Sequence, residues 1–253
     1  MSIWGIIPAA GQGTRIQPLA FSKELLPVGV RRDGRSERPK AVSEYLVERM
    51  AQAGCTKLCF VISPGKSDIL RYYGDRVEGM DVAYVVQPRA AGLCDALFRA
   101  APFVGPDEPV AIGLPDTVWF PAGGLAALTA DRLAFLLFPV AHPELFDAVV
   151  LDGAGAVTEI LVKAAAPPTG WIWGALRAPG PVYHQLAALW RARDCEDEYL
   201  GTLVNAWIAG GGQAAGVKGG ASYVDVGTLH GYREALRLLA DTERGRDDLM
   251  EAL

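Results

Sequence analysis

Five continuous apolar runs punctuate the first 140 residues: Ile3–Pro8, Lys57–Ile62, Val82–Val86, Pro109–Leu114 and Leu133–Val140. Each is too short for a helix and too uniformly apolar for a half-exposed strand, so each predicts a strand buried on both faces. Helical patterns lie between them. In Ala41–Ala53, residues Val42, Tyr45, Leu46, Arg49 and Met50 recur at helical spacing, and Gly54 ends the pattern. Leu93–Ala101 and the shorter Gly124–Ala130 also read as helices. Strand–helix alternation of this kind constrains the chain to an α/β fold, with a mixed, mostly parallel sheet flanked by helices.

The second half changes character. Ala148–Leu151, Val157–Val162 and Ile172–Leu176 read as strands separated by glycine-containing turns such as "DGAG", which predicts a small antiparallel subregion. Val182–Ala192, Tyr199–Ala209 and Gly231–Leu239 read as helices, and Tyr223–Val226 as a short strand. The polar stretch Arg31–Lys40, "RRDGRSERPK", reads as a loop that is mobile when nothing is bound. Residues 241–253 read as a charged tail. With no internal repeat and no linker, residues 1–253 are expected to form one domain.

A composition that is 51 % hydrophobic supplies a sizeable core, and a net charge of -5 argues against binding nucleic acid through a basic face. No stretch reaches the ~20 apolar residues of a membrane span, and the N-terminus lacks a basic region before its apolar run. Cys55, Cys59, Cys94 and Cys195 lack metal-type pairing and read as reduced thiols. A cytoplasmic enzyme, free of membrane and nucleic-acid partners, is expected; a homo-oligomer is compatible with the sequence.

Ligands bind parallel α/β sheets beyond the carboxyl ends of the strands. The loop after the first run, "AAGQGTRIQPLAFSKELLPV", is therefore a candidate site. Gly11 and Gly13 let backbone N–H groups approach a phosphate closely, and Arg15 and Lys23 add charge. The dinucleotide fingerprint fails because Ile16 stands where its third glycine belongs, and the Walker loop is absent. Asp116 and Asp225 each follow an apolar run, at "AIGLPD" and "YVD". Both carboxylates can meet at the sheet edge as hard oxygen ligands for Mg²⁺. Taken singly, each has a plainer reading: a turn aspartate, a surface cation, a loop hydrogen-bonder. His142, His184 and His230 form no cluster in the sequence.

The opening loop resembles the signature of sugar-1-phosphate nucleotidyltransferases, most closely the glucose-1-phosphate thymidylyltransferase and UTP–glucose-1-phosphate uridylyltransferase group. "VVQPRAAGLCDAL", "AIGLPDT", "HPELFDAVVLDGAGAVTEILVKA", "GWIWGAL" and "YVDVGTLHGYREA" resemble later segments of that family in order. The resemblance implies a single GT-A-like (Rossmann-like) domain that uses Mg²⁺ to move a nucleoside monophosphate from a triphosphate to a sugar 1-phosphate. Residues 1–140 would then be mainly the nucleotide-binding half and 141–240 mainly the sugar-phosphate half. It implies nucleotide contacts from Ala10, Gly11, Gly13, Thr14, Gln87 and Gly92, and catalytic cations at Arg15 and Lys23. Lys163, Gly174 and Asp147 would line the sugar-phosphate side, and Asp116 and Asp225 would hold the metal.

The pattern also departs from the family. The interval from Arg15 to Lys23 is slightly shorter than usual, and serine replaces the usual proline before the lysine. The familiar "E-E-K-P" becomes Leu161-Val162-Lys163-Ala164, so the acid that accepts sugar hydroxyls is missing; Asp147 or a neighbour replaces a sugar-touching glycine. An apolar wall does not compensate desolvated hydroxyls, so an acceptor other than glucose 1-phosphate, or other groups holding it, is expected. Because the chain is shorter than typical thymidylyltransferases, a C-terminal helical extension that builds oligomers or an allosteric site is expected to be absent. Two rivals stay open: a GT-A glycosyltransferase, though "LPDTVW" holds one acid rather than a D-x-D-like pair, and a non-catalytic sugar-nucleotide sensor.

Overall fold

A computed structural model describes residues 2–34 and 36–251. In chain order the elements begin β1 (Trp4–Ala9), β2 (Pro27–Asp33), β3 (Ser36–Ala41), α1 (Val42–Gln52), β4 (Lys57–Ile62), α2 (Ser67–Tyr73), β5 (Arg76–Val77), β6 (Met80–Val86) and α3 (Gly92–Arg99). They continue with β7 (Val110–Gly113), β8 (Thr117–Phe120), β9 (Leu133–Pro139), β10 (Asp147–Leu151), β11 (Val157–Val162) and β12 (Trp171–Ala178). The chain closes with α4 (Gly180–Ala192), α5 (Leu200–Ala209), β13 (Ala214–Val217), β14 (Ser222–Asp225) and α6 (Leu229–Glu251).

The sheet runs β11-β10-β12-β7-β1-β4-β6-β5, with β9 beside β12 and β13 beside β9. Strands β7, β1, β4 and β6 are parallel neighbours, so the loops after them emerge at one edge. β10, β11 and β12 form the antiparallel region that the glycine turns foretold. Alternate residues of each central strand feed opposite faces, as the pleat demands. Ile6, Cys59 and Val61 pack with Leu97, Phe98, Tyr183 and Leu203 on one face. Ile7, Leu58 and Phe60 pack with Leu46, Met50, Ile69 and Tyr73 on the other. A smaller cluster of Val28, Tyr45, Val118, Val224 and Leu239 ties α6 to the β8–β14 pair.

Three expectations are corrected. Arg31–Lys40 is not a mobile loop but most of the β2–β3 hairpin, paired from Gly29↔Lys40 to Asp33↔Ser36. Its hydrogen-bond ladder needs no apolar side chain, and three of its cations are placed: Arg38 grips both oxygens of the buried Glu44, Arg31 meets Glu78, and Lys40 meets Glu48, while Arg35 lies outside the described residues. Gly124–Ala130 is no α-helix. One 3-10 turn at Ala122–Gly124 is followed by separate turns, and Leu125 and Leu128 are buried without a continuous helix between them. So short a segment, entered through Gly123 and Gly124, forms too few internal bonds to offset the cost of helix nucleation. The expected tail continues α6 as far as Glu251, and its last two residues, 252 and 253, lie outside the described residues. Helix α2 and strands β8 and β13 are additional elements, all short.

Candidate active site

The loop from Ala10 to Ser22 leaves the end of β1 and delivers a one-turn 3-10 helix at Lys23–Leu25. Ala10 is buried, whereas Gly11, Thr14 and Arg15 are exposed. Gly13 sits at a φ of +65°, and a Cβ there would stand 2.8 Å from Lys23 Cδ. Only glycine suits both the left-handed backbone and the passage of the lysine stem. No atom lies within 4 Å of the place a Cβ on Gly11 would take, so that backbone is open to a ligand.

Lys23 Nζ donates to Asp116 Oδ2, and Arg15 Nη2 donates to Asp225 Oδ2 at 3.0 Å. Burial alone would lower the Lys23 amine and raise the Asp116 carboxyl. Their mutual charge and hydrogen bond outweigh burial, so Lys23 shifts up and Asp116 down. The two aspartates are brought together by β14 pairing with β8, where Asp225 lies opposite Thr117 and Val226 N donates to Asp116 O at 2.8 Å. Gly227 closes the cluster. A Cβ on it would lie 2.8 Å from Asp225 Oδ1, 3.1 Å from Arg15 Nη2 and 3.3 Å from Asp116 Oδ2. Two carboxylates and two cations thus surround one small gap kept by a glycine. Among the described residues no group of three or more carboxylate, histidine or cysteine ligands occurs. The gap between two hard oxygen donors suits an octahedral cation that keeps several waters, as Mg²⁺ does.

The other candidates lie in two adjoining groups. Gln87 is buried after β6; its Nε2 donates to Gly92 O at 3.1 Å and Asp95 Oδ2 at 2.7 Å. Gly92 has a φ of +86°, and a Cβ there would stand 2.6 Å from Glu198 Cα. Leu93 N also donates to Glu198 O, at 2.7 Å. The next residue, Tyr199, accepts from Lys163 Nζ at 3.2 Å, with that amine 4.8 Å from its ring centroid. The dipeptide Glu198–Tyr199 therefore touches both groups. Asp147 opens β10 opposite Val162, and burial raises its carboxyl pKa despite the Trp173 hydrogen bond and the nearby Lys163. Gly174 falls in a register shift of β12, where a Cβ would stand 2.5 Å from Tyr223 and 2.7 Å from Phe138. Its space is filled by protein rings. Tyr223 also stacks edge-on with Phe146, the neighbour of Asp147, so it lies between Asp147 and Asp225.

Glu198, Tyr199, Tyr223, Lys66 and Glu24 were not singled out by sequence reasoning. Lys66 had a usable signal: it follows β4 at the same carboxyl edge as the glycine loop. Glu24 and Tyr223 also had one, lying beside Lys23 and Asp225 in the quoted motifs, whereas Glu198 and Tyr199 reach the site through long-range contacts that no local spacing reveals.

The chain is 30 % identical over 178 residues to the low-salt glycan biosynthesis nucleotidyltransferase of Haloferax volcanii, a match covering 65 % of this chain and 46 % of that protein. A glucose-1-phosphate thymidylyltransferase of Mycolicibacterium smegmatis is 26 % identical over 245 residues, covering 91 % and 80 %. UTP-bound UGPase from Acinetobacter baumannii shares the fold, with a TM-score of 0.73 and 20 % identity across 93 % of this chain and 92 % of that one. The chain thus spans less than half of the haloarchaeal relative's length and most of the other two. Residues 4–242 match the nucleotidyl transferase family across the glycine loop, both aspartates and the strands between, and the chain belongs to that family.

Proposed function

We propose that the chain transfers a nucleoside monophosphate from dTTP or UTP to a sugar 1-phosphate, releasing pyrophosphate. The convergence of Arg15, Lys23, Asp116 and Asp225 on one gap beside Gly227 carries this reading. The attacking sugar-phosphate oxygen is already ionised near neutral pH, so no general base is needed. The requirement is to hold two anions together and stabilise charge that builds on the α-phosphate.

Asp116 and Asp225 would hold Mg²⁺, which when bound neutralises phosphate oxygens. Arg15, 62 % exposed, is free to turn from Asp225 toward the leaving phosphates. Lys23, on its fixed turn, faces the α-phosphate. Gly11 and Gly13, flanked by Ala10 and Thr14, offer backbone N–H groups to the triphosphate. Lys163 holds the incoming sugar phosphate, with Tyr199 supporting its amine. The Gln87 amide nitrogen is occupied by Gly92 and Asp95, which leaves its oxygen as the group that meets a base. That oxygen accepts from the N3–H of thymine or uracil, a proton cytosine lacks. Gly92 orders the start of α3 beside this base. On the acceptor side Leu161 and Val162 offer no hydroxyl acceptor, and Asp147 beside Trp173 and Gly174 takes that place. The acceptor therefore differs from glucose 1-phosphate or is held differently.

The cysteines are free, and burial pushes Cys55, Cys59 and Cys94 up to about 12, which suits inert thiols in a reducing cytoplasm. No helix among the described residues is long and apolar enough to cross a membrane.

The test is pyrophosphate release from a matrix of nucleoside triphosphates and sugar phosphates with Mg²⁺. Wild type should turn over at least one pyrimidine pair, and Lys23→Ala should lose ~10²–10³-fold in kcat with a much smaller change in nucleotide affinity. A sensor would lose affinity alone. No pyrophosphate from any pair would sink the proposal.

A further inference from the structure

A single 3-10 turn has too few internal bonds to hold its own shape. The turn carrying Lys23 makes two: Leu25 N to Ser22 O at 2.8 Å and Leu26 N to Lys23 O at 3.1 Å. Everything else that holds it comes from outside. Lys66, in the loop after β4, donates to Glu24 Oε1 at 2.7 Å, Glu24 Oε2 at 2.8 Å and Ala9 O at 2.7 Å. It thus bridges the last residue of β1, where the glycine loop begins, to the turn where that loop ends. Asp68, at the start of α2, accepts from both Ser22 N and Ser22 Oγ at 2.7 Å. Ser43 Oγ donates to Glu24 O at 2.6 Å. The residues on either side of Lys23 are therefore gripped by side chain and by backbone, and Lys23 alone of the three points at Asp116.

Stability does not explain the Lys66–Glu24 pair. Glu24 is 1 % exposed. Burial moves each partner toward its neutral form, Lys66 down and Glu24 up, against their mutual attraction. Buried pairs of this kind contribute little net stability compared with apolar replacements. What the pair supplies is location: both ends of the glycine loop are fixed to one ammonium.

We propose that Lys66, through Glu24 and with Asp68, is a positioning residue that sets where the Lys23 ammonium stands, without itself touching substrate. This rests on the role proposed above for Lys23. Misplacing a catalytic group by about 1 Å costs on the order of 10²-fold in rate, which is the expected loss of kcat in Lys66→Met, with KM for the triphosphate within about threefold.

Lys66→Met alone leaves Glu24 buried and unpaired, so the decisive variant is Lys66→Met/Glu24→Gln, which removes both charges together. It should melt close to wild type and retain the kcat loss. On a Lys23→Ala background the same pair of changes should cost nothing further, because the lysine they position is gone. A second readout needs no turnover: the rate at which Lys23 is acetylated by an amine reagent, followed by peptide mass spectrometry, should rise severalfold in the double variant. A folded double variant with wild-type kcat, a loss that adds in full to Lys23→Ala, or an unchanged Lys23 acetylation rate overturns the proposal. If wild type releases no pyrophosphate, the assigned reaction fails, and the acetylation rates still decide whether Lys66 positions Lys23.

Discussion

Replacing Gly227 by alanine is the most direct probe of the site. The new methyl would sit 2.8 Å from Asp225 Oδ1, 3.1 Å from Arg15 Nη2 and 3.3 Å from Asp116 Oδ2. Carbon finds its favourable contacts at roughly 3.5–4.0 Å, so the methyl occupies the gap and presses on all three groups. Gly227 does not have a left-handed φ, so backbone strain adds nothing. Arg15 is exposed and can retreat, but Asp225 is held, because its Oδ1 accepts the Gly227 N–H at 2.7 Å. Either the carboxylates spread by a fraction of an ångström or the cation site closes. A misplacement on the order of 1 Å costs about 10²-fold, or about 2.7 kcal/mol on the barrier. The assay is pyrophosphate release against Mg²⁺ concentration, with a thermal melt beside it. We expect kcat/KM to fall about 10²-fold, more Mg²⁺ to be needed for half-maximal rate, and stability to change by less than about 1 kcal/mol. Activity within about threefold of wild type, at an unchanged Mg²⁺ requirement, would refute the idea that Asp116 and Asp225 share a cation in this gap.

Other predictions follow from the same geometry. Burial alone would raise the Glu44 carboxyl, but hydrogen bonds from Arg38, Tyr72 and the Ala41 N–H outweigh it and hold it at about 2, against an ordinary value of 4.5. A depressed carboxyl stabilises the fold above its unfolded value, so this contribution should be complete above pH 4.5 and vanish as pH falls toward 2. Because Arg38 is partly exposed, about 2–3 kcal/mol is expected, read as the gap between the melting curves of wild type and Glu44→Gln across that window. Gly174→Ala should destabilise by about 1–3 kcal/mol, since its methyl meets Tyr223 and Phe138; an unchanged denaturation midpoint would show that these rings move freely. Gln87→Leu should raise KM for the preferred triphosphate about tenfold or more and narrow its advantage over CTP. Equal discrimination in the variant would remove Gln87 from base recognition.

The first half of the sheet was legible because its signals are local. Ile3–Pro8 and Lys57–Ile62 are short apolar runs buried on both faces, and they became β1 and β4 with boundaries shifted by at most a residue. Val82–Val86 became the end of β6, but it is only half-buried, with Val86 48 % exposed, because only the two-residue β5 lies beyond it in the sheet. The β2–β3 hairpin was illegible because backbone pairing and placed ion pairs, rather than apolar periodicity, hold it. Gly124–Ala130 misled in the opposite way: it read as a helix, but it is a run of separate turns after the 3-10 turn that ends at Gly124.

The residue types of the candidate site were determined by the sequence alone. Two glycines, two cations and two strand-end aspartates are chemical identities, and they persist whatever the chain does with them. Their arrangement was decided by tertiary structure. Asp225 is brought beside Asp116 by the pairing of β14 with β8, and Lys23 crosses Gly13 on a turn whose neighbouring residues bond to Lys66 and Asp68. Such contacts join positions far apart in the chain. Spacing cannot encode them, because the distance between two side chains is set by the packing of everything that lies between.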